Sequence, residues 1–273
     1  MDTSLFWIIM LFFVLWPQMQ QRVLAYRRYA ALQACEKRRG SRIITLIHRQ
    51  ESSGFFGMFA RNYIDIEDSE AILRAIRLTS DDTPIDILLH TPGGLVLASE
   101  QIAMALVAHP AKVTAIVPHY AMSGGTLIAL AADEILMDPH AVLGPVDPQL
   151  GQYPAASIIK VAEEKPIGRV DDNTLILADM SRKAILQTQN FVVKLLNKRM
   201  KPEDAESLGK MLTKGTWTHD YPITAEEATQ FGLPINTDIE NQVCDIMALY
   251  PQNNANRTSV QYIPLPYKSG KEA

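Results

Sequence analysis

The sequence predicts an α/β protein, with a parallel sheet covered by helices and one apolar helix in front of it. Short β-branched runs alternate with helical segments between Ile43 and Ile235, and this alternation is typical of parallel sheets built from βα units. A charge-free run of 19 residues, Thr3–Gln21, precedes that region. The 273 residues suffice for one such domain with extensions.

The composition excludes several classes of protein. Hydrophobic residues make up 47% and charged residues 21% of the chain, as in globular proteins with a core. A net charge of −4 argues against whole-chain binding of nucleic acid. Cys35 and Cys244 lie too far apart in sequence to indicate a disulfide framework or a CxxC site. His48 and His140 lack partners at metal-ligand spacing, so we predict no metal and no cofactor.

The apolar run predicts a membrane anchor over residues 1–21. As a helix it extends roughly 28 Å, which is close to the thickness of a bilayer core. Trp7 and Trp16 have positions that suit the two interfaces. A cleaved signal peptide and an interfacial or buried helix are the alternatives. The chain starts Met-Asp-Thr-Ser and has no small-residue cleavage site before Arg22, which favours a retained anchor.

A basic segment follows the apolar run. Residues 22–42 contain seven Arg or Lys and one Glu, so the positive-inside rule places this side of the membrane in the cytoplasm. We therefore predict a single-pass protein of the cell membrane whose main domain faces the cytoplasm. Residues 22–42 form a juxtamembrane linker in this interpretation, either lying along anionic headgroups or solvated.

The main domain is predicted at residues 43–250, and its elements follow from hydrophobic patterns. Strands are predicted at Arg42–His48, Ile85–Leu89, Val113–Val117 and Glu134–Met137. Helices are predicted at Asp65–Thr79, Leu95–Ala108, Ser123–Ala132, Ala155–Glu164, Asp172–Met200 and Pro202–Leu212. Thr224 and Glu227 form a capping box that opens a further helix, which Gly232 ends. Residues 51–62 are predicted to be an apolar loop or lid, and residues 251–273 a flexible tail.

Two glycine-rich turns after predicted strands form the candidate site. They are His90–Gly94 and Met122–Gly125, and ligands of open α/β sheets bind at such strand ends. Ser123 at a helix start has its hydroxyl in the positive field of the helix N-terminus. Gly124 leaves room for a backbone amide to approach an oxyanion. The spacing fits either a nucleophile with oxyanion donors or a helix cap between two turns.

The motifs in this order resemble the ClpP/crotonase superfold, and within it the membrane serine proteases related to signal peptide peptidase A and the NfeD-like proteases. Thr91–Gly94 is followed about thirty residues later by Tyr120–Gly125. Ala131–Asp138 and Ala141–Val146 are similar to the strand and bend after the nucleophile helix, and Thr224–Leu233 is similar to a late helix. With H-T-P-G-G, A-M-S-G-G-T and L-G-P-V-D-P-Q, residues 43–235 most resemble the serine dehydrogenase proteinase family.

This resemblance implies a serine peptidase and assigns its site residues. The nucleophile is then Ser123, and the oxyanion donors are the amides of Gly124 and of Gly94 or Gly93. ClpP places its histidine base after the nucleophile helix, where this chain has Gly144-Pro145-Val146. The related membrane proteases instead use a lysine from a later helix.

Several side chains are candidates for the general base. A base lysine must be largely neutral near pH 7, which burial and nearby cations favour and carboxylates oppose. Lys183 adjoins Arg182 on a long predicted helix and best matches the position of the base in the related branch. We therefore predict a Ser123–Lys183 dyad. The alternatives are Lys165, Lys160 and His219, the last paired with Asp220.

The predicted protein is a membrane-anchored serine peptidase that cleaves exposed peptide segments. Its partners are a protein or peptide substrate, the membrane and further copies of itself, since the resemblance implies a homo-oligomer. Two other functions stay open. One is a crotonase-like enzyme that acts on an acyl-CoA thioester, and the other is a catalytically inactive membrane scaffold of the same fold.

Overall fold

The computed structural model describes residues 3–48 and 63–250. Helices α1–α9 span Thr3–Arg39, Ile66–Arg77, Val96–Ala108, Gly124–Leu130, Ala155–Glu164, Asp172–Leu196, Pro202–Thr213, Ala225–Gln230 and Asn241–Ala248. Strands β1–β10 span Arg42–Ile47, Ile85–His90, Val113–Val117, Tyr120–Ala121, Glu134–Met137, Val142–Leu143, Gln149–Leu150, Tyr153–Pro154, Ile223–Thr224 and Ile235–Asn236. The predicted loop at 51–62 and the predicted tail at 251–273 lie outside the described residues.

The main sheet has five parallel strands in the order β1-β2-β3-β5-β10. Every residue of β2 and β3 is buried, as expected of central strands covered on both faces. The prediction of an α/β fold with a parallel sheet is confirmed. The four predicted strands become β1, β2, β3 and β5, each within one residue of its predicted end.

A smaller sheet joins β4, β6 and β9 beside the main one. Strand β6 pairs parallel with β4, Ala121 facing Leu143, and antiparallel with β9, where Leu143 faces Ile223. The sequence did not predict these strands, because two residues are too few to show an alternating pattern. The small sheet positions the turn at Ser123, which directly follows β4.

Two apolar clusters cover the faces of the main sheet. The larger includes residues of α2, α3, α4, α6 and α7. The smaller lies against the other face and combines Cys35 near the end of α1 with Val243, Ile246 and Met247 of α9. Arg39 links the same elements, since its guanidinium bonds Asp86 of β2 and Glu240 beside α9. The C-terminal half of α1 is therefore packed onto the domain.

The predicted transmembrane helix falls in α1, which runs without a break from Thr3 to Arg39. Among the residues that the structure describes, no helix is both long enough and apolar enough to span a membrane. The structure therefore does not show the predicted anchor.

Candidate active site

Ser123 occupies a strained turn between β4 and α4. Its backbone has φ 49° and ψ −114°, a left-handed conformation that costs about 1–3 kcal/mol in a residue with a side chain. The turn is closed by the Gly125 amide, which donates to the Met122 carbonyl over 2.7 Å. Ser123 stands at the N-cap position, yet its side chain caps no backbone amide of the helix. A simple capping role does not explain this serine.

The Gly93-Gly94 turn lies against Ser123. Gly93 has φ 103°, and a Cβ added to it would lie 2.7 Å from Cβ of Ser123. Gly94 pairs with Ile64 so closely that a Cβ would overlap the Ile64 backbone. Both positions therefore require glycine. Gly93 needs it for its positive φ and its closeness to Ser123, and Gly94 needs it for its close pairing with Ile64.

Two amides near Ser123 are available to an oxyanion. Gly93 donates its N–H to Oγ1 of Thr91 over 3.2 Å. Within the described part of the chain, the amides of Gly94 and Gly124 have no acceptor. A Cβ on Gly124 would lie 3.4 Å from the Gly94 nitrogen, so the two amides are neighbours. Of the predicted donors, the geometry favours Gly94 and Gly124, and it gives Gly93 a supporting role.

Thr91 forms hydrogen bonds with both turns, a role that the sequence did not predict. Its carbonyl accepts from the Met122 amide over 2.9 Å, and its hydroxyl oxygen accepts from Gly93. That oxygen also lies 2.9 Å from Nδ1 of buried His48, whose Nε2 is 3.2 Å from a carboxylate oxygen of Asp68. The H-T-P-G-G motif pointed to Thr91, but no local pattern connects it to His48, 43 residues earlier.

Lys183 does not have the environment that a neutral lysine needs. Its side chain is 68% exposed on α6, and Nζ lies 2.5 Å from Oδ2 of Asp179. Lys160 is similar, with a side chain 72% exposed and Nζ 3.8 Å from Glu164. Lys165 is exposed at the end of α5.

A groove of about 950 Å³ lies against the start of α3, and its lining includes Val96, which follows Gly94 by two residues. Val96, Leu97 and Glu100 of α3 line one side, and burial raises the pKa of the Glu100 carboxyl. Pro148–Leu150 and α6, with Lys183, line the rest. The groove is largely apolar, and Val96 and Leu97 bring it near in sequence to Gly94, which does not itself line it.

His219 pairs with Asp147 and not with Asp220, the partner considered from the sequence. Its Nδ1 lies 2.7 Å from Oδ1 of Asp147, whose side chain is buried. The expected partner Asp220 is exposed and acts on His219 only through its charge. The hydrogen bond to Asp147 raises the pKa of His219 above its ordinary value of 6.5.

No three His, Cys, Asp or Glu side chains of the described residues are grouped so that they could hold a metal ion. The candidate site just described consists instead of a serine and the backbone amides beside it.

Three comparisons place the chain among known proteins. A family model described as ClpP-like SDH-type serine proteinase matches residues 1–273. Uncharacterized protein MJ0137 of Methanocaldococcus jannaschii is 54% identical over 267 residues, covering 98% of this chain and 93% of its own length. Uncharacterized protein MJ1495 of the same organism is 53% identical, covering 100% of this chain and 92% of its own.

The solved structures that align with this chain are more distant in sequence. An alanine mutant of the 1510-N membrane-bound stomatin-specific protease aligns with TM-score 0.47 and 22% identity, over 67% of this chain and 79% of that one. ClpP1 from Listeria monocytogenes aligns with TM-score 0.45 and 15% identity, over 82% and 99%. The family model and the two archaeal relatives span nearly the whole chain, and this protein therefore belongs to the ClpP-like SDH-type serine proteinases.

Proposed function

We propose that this protein is a serine peptidase whose nucleophile is Ser123. The observation that carries the proposal is the strained serine turn beside the amides of Gly94 and Gly124, for which residues 3–48 and 63–250 provide no acceptor. Strain of this kind persists where the surrounding structure enforces it, often at active sites. Family membership supports the same reaction class.

In the proposed reaction, a substrate segment lies extended in the groove at the start of α3. Oγ of Ser123 attacks the carbonyl carbon of the scissile peptide. The negative oxygen that develops accepts hydrogen bonds from the amides of Gly94 and Gly124, at the N-terminal end of α4. Loss of one such donor costs about 10²–10³ in kcat in other acyl-transfer enzymes.

The proton of Ser123 needs an acceptor, and the sequence-based hypothesis is Lys183. Lys183 lines the same groove as Val96 and Leu97, which supports this assignment. The dyad requires that Nζ leave Asp179 and lose its charge before it accepts a proton.

We propose that the protein works as a homo-oligomer. Helices α5 and α6 and the segment between them expose large apolar side chains, which include Val161, Ile167, Ile176, Met180 and Leu186. Contact with a second copy would remove this surface from water. Light scattering of the purified protein should give a mass of at least two chains, and a monomer at micromolar concentration would contradict this.

We further propose attachment to the cell membrane, with the catalytic domain in the cytoplasm. The first half of α1 exposes Trp7, Leu11, Leu15 and Trp16. The basic segment that follows supports the orientation. This membrane proposal is independent of the proposed peptidase activity.

The peptidase proposal is tested with a fluorophosphonate probe, which reacts with activated serines. The full-length protein should be labelled at Ser123, and Ser123→Ala should lose the label. Ser157→Ala, which changes an exposed serine of α5, is the matched control and should label normally. If the wild type is not labelled at Ser123, the proposal is wrong. Hydrolysis of acyl-CoA thioesters that survives Ser123→Ala would favour the crotonase-like alternative.

A further inference from the structure

His48 is a buried histidine at the edge of the main sheet that also carries the Gly93-Gly94 turn. It directly follows β1, and Ile47 pairs with His90 at the end of β2. Continued by one residue, this parallel register sets His48 beside Thr91, and Nδ1 of His48 lies 2.9 Å from Oγ1 of Thr91. The His48 side chain is 9% exposed, and Thr91 is fully buried.

The other ring nitrogen of His48 meets a carboxylate of α2. Nε2 lies 3.2 Å from Oδ2 of Asp68. The same Oδ2 accepts from the Asp65 amide over 2.9 Å, as part of the capping box at the start of α2. Because a carboxylate oxygen is an acceptor, the proton of the neutral imidazole belongs on Nε2. Nδ1 is then the acceptor that faces Thr91.

This tautomer determines the direction of the hydrogen bond from Thr91. Its hydroxyl has one proton, which is donated to Nδ1 of His48 over 2.9 Å, whereas the Gly93 carbonyl lies 3.5 Å away. The hydroxyl oxygen in turn accepts from the Gly93 amide over 3.2 Å. The bonds therefore run in one direction, from Gly93 through Thr91 and His48 to Asp68. Bonds in such a chain polarise one another in a buried site.

The chain ends on the peptide that precedes the Gly94 amide. The Gly93 amide is held by Thr91, and the Gly93 carbonyl accepts from the Ile64 amide over 2.8 Å. The Gly93 carbonyl and the Gly94 N–H belong to one trans peptide unit, so they point in opposite directions. Two adjacent glycines allow this unit to rotate at little steric cost. Its direction, and with it the direction of the Gly94 N–H, therefore depends on these two bonds.

The start of α2 holds the turn from two sides. Ile64 bonds the Gly93 carbonyl and accepts from the Leu95 amide over 2.8 Å. Asp68, four residues later, bonds His48, which reaches the Gly93 amide through Thr91. Packing alone does not explain a histidine here, because a buried polar ring costs free energy unless it is hydrogen-bonded. Both of its nitrogens have partners that lead to the turn or to the helix that holds it.

We propose that His48 is a positioning residue, which fixes the Gly93-Gly94 turn through Thr91. This inference rests on the proposed peptidase function and adds the residues that hold one of its oxyanion donors. His48 transfers no proton in the reaction. It keeps the Gly93 amide on Thr91, so that the Gly94 N–H stays directed at the oxygen that becomes negative.

The test uses fluorophosphonate labelling of Ser123 in the full-length protein at increasing probe concentration. His48→Gln puts an amide near the Nε2 position and loses the acceptor for Thr91, whereas His48→Asn puts an amide oxygen near the Nδ1 position. His48→Gln should lower the maximal labelling rate by about 10–10², as for other misplaced groups. The half-saturating concentration should change less than about threefold, because the donor acts on the transition state.

His48→Asn should label about tenfold faster than His48→Gln, since it keeps the bond to Thr91. Thr91→Val removes the hydroxyl at nearly constant shape and should be as slow as His48→Gln, whereas Thr91→Ser should recover most of the rate. The double variant His48→Gln/Thr91→Val should be no slower than either single variant, because both break one chain. His140→Gln, at an exposed histidine, is the matched control and should label like the wild type. Urea denaturation of each variant separates a slower site from a less stable fold.

The outcomes distinguish this inference from the peptidase proposal. If His48→Gln labels at the wild-type rate, or if His48→Asn is equally slow, the inference is wrong and Ser123 stays the nucleophile. Absence of labelling in the wild type overturns the peptidase proposal and this inference with it. If His48→Gln does not fold, ¹⁵N-histidine NMR of the wild type decides. His48 as the Nε2–H tautomer, with an Nδ1 signal that moves in Thr91→Val, supports the inference, and the Nδ1–H tautomer contradicts it.

Discussion

At the scale of single residues, the site depends on how closely backbones approach Ser123. Gly124 shows this best, because a Cβ there would overlap Oγ of Ser99 on α3 and lie 3.1 Å from its Cβ. Ser99 is fully buried, so it has little room to move away. The small residues at this contact let α3 and α4 pack closely enough for the amides of Gly94 and Gly124 to become neighbours.

Gly124→Ala should therefore lower both stability and labelling of Ser123. We expect a loss of about 1–3 kcal/mol in the free energy of unfolding, as for other overpacked cores, measured by urea denaturation. Adding Ser99→Ala removes the overlapping oxygen and should restore much of the loss. Gly168→Ala, at an open position, should be neutral. If the double variant is no more stable than Gly124→Ala, the overlap is not the cause.

The pair of His219 and Asp147 makes stability depend on pH. The pKa of His219 is raised in the folded protein, first by its hydrogen bond to Asp147. A raised pKa means that the folded state binds the proton more tightly, so the stabilisation is complete below the ordinary value of 6.5 and is lost as pH rises through the folded value. His219→Gln should therefore lower the Tm more at pH 5.5 than at pH 9. An equal loss at both pH values would contradict this, and His140→Gln is the control.

At the scale of elements, the C-terminal half of α1 is fastened to the domain by polar as well as apolar contacts. Arg39 bonds Asp86 of β2 and Glu240, while the Ser41 hydroxyl bonds Asp86 as well. Arg28 lies 4.2 Å from the Tyr250 ring centroid and donates to the Leu249 carbonyl. These contacts set the direction in which α1 leaves the domain.

Arg39→Met should destabilise the domain, because it removes the charged partner of the buried Asp86 carboxylate and leaves it the Ser41 hydroxyl. We expect a loss of about 3 kcal/mol in the free energy of unfolding, within the range for broken buried ion pairs, measured by chemical denaturation. Arg38→Met is the matched control and should cost less than about 1 kcal/mol. The Arg38 side chain is 61% exposed, and its ion pair with Glu240 is long, at 3.6 Å. Equal losses in the two variants would show that the burial of Asp86 is not decisive.

At the scale of the whole molecule, the two halves of α1 differ in character. The second half packs through Cys35 against the main sheet, and burial raises the pKa of that thiol. The first half exposes tryptophans and leucines along the helix. In the membrane proposal, the packed half would join the domain to the anchor.

Membrane attachment should survive a carbonate wash in the full-length protein and be lost in Leu11→Asp/Leu15→Asp. Each aspartate near the centre of a span costs about 2.5–3.5 kcal/mol in membrane insertion. Gln18→Asp/Gln21→Asp, at exposed polar positions of the same helix, is the control and should stay with the membrane fraction. Release of the wild type by carbonate would contradict the anchor. A reporter at the C-terminus that lies outside the cytoplasm would contradict the orientation alone.

Local sequence patterns were enough to predict several features of this protein. Buried strands such as Val113–Val117 stand out as continuous apolar runs, and the Thr224 capping box fixes the start of α8. The glycines of H-T-P-G-G and A-M-S-G-G-T stand at backbone positions where a side chain does not fit. These motifs were enough to predict Ser123 and Gly124 as candidate site residues.

Contacts between distant segments could not be predicted from local patterns. The choice of Gly94 over Gly93 depends on one hydrogen bond from Gly93 to Thr91. The partner of His219 lies 72 residues away at Asp147, whereas sequence proximity suggested Asp220. The two-residue strands β4, β6 and β9, which form the small sheet, are too short to show an alternating pattern. Strand register is set by the packing of the whole domain, and no local pattern encodes it.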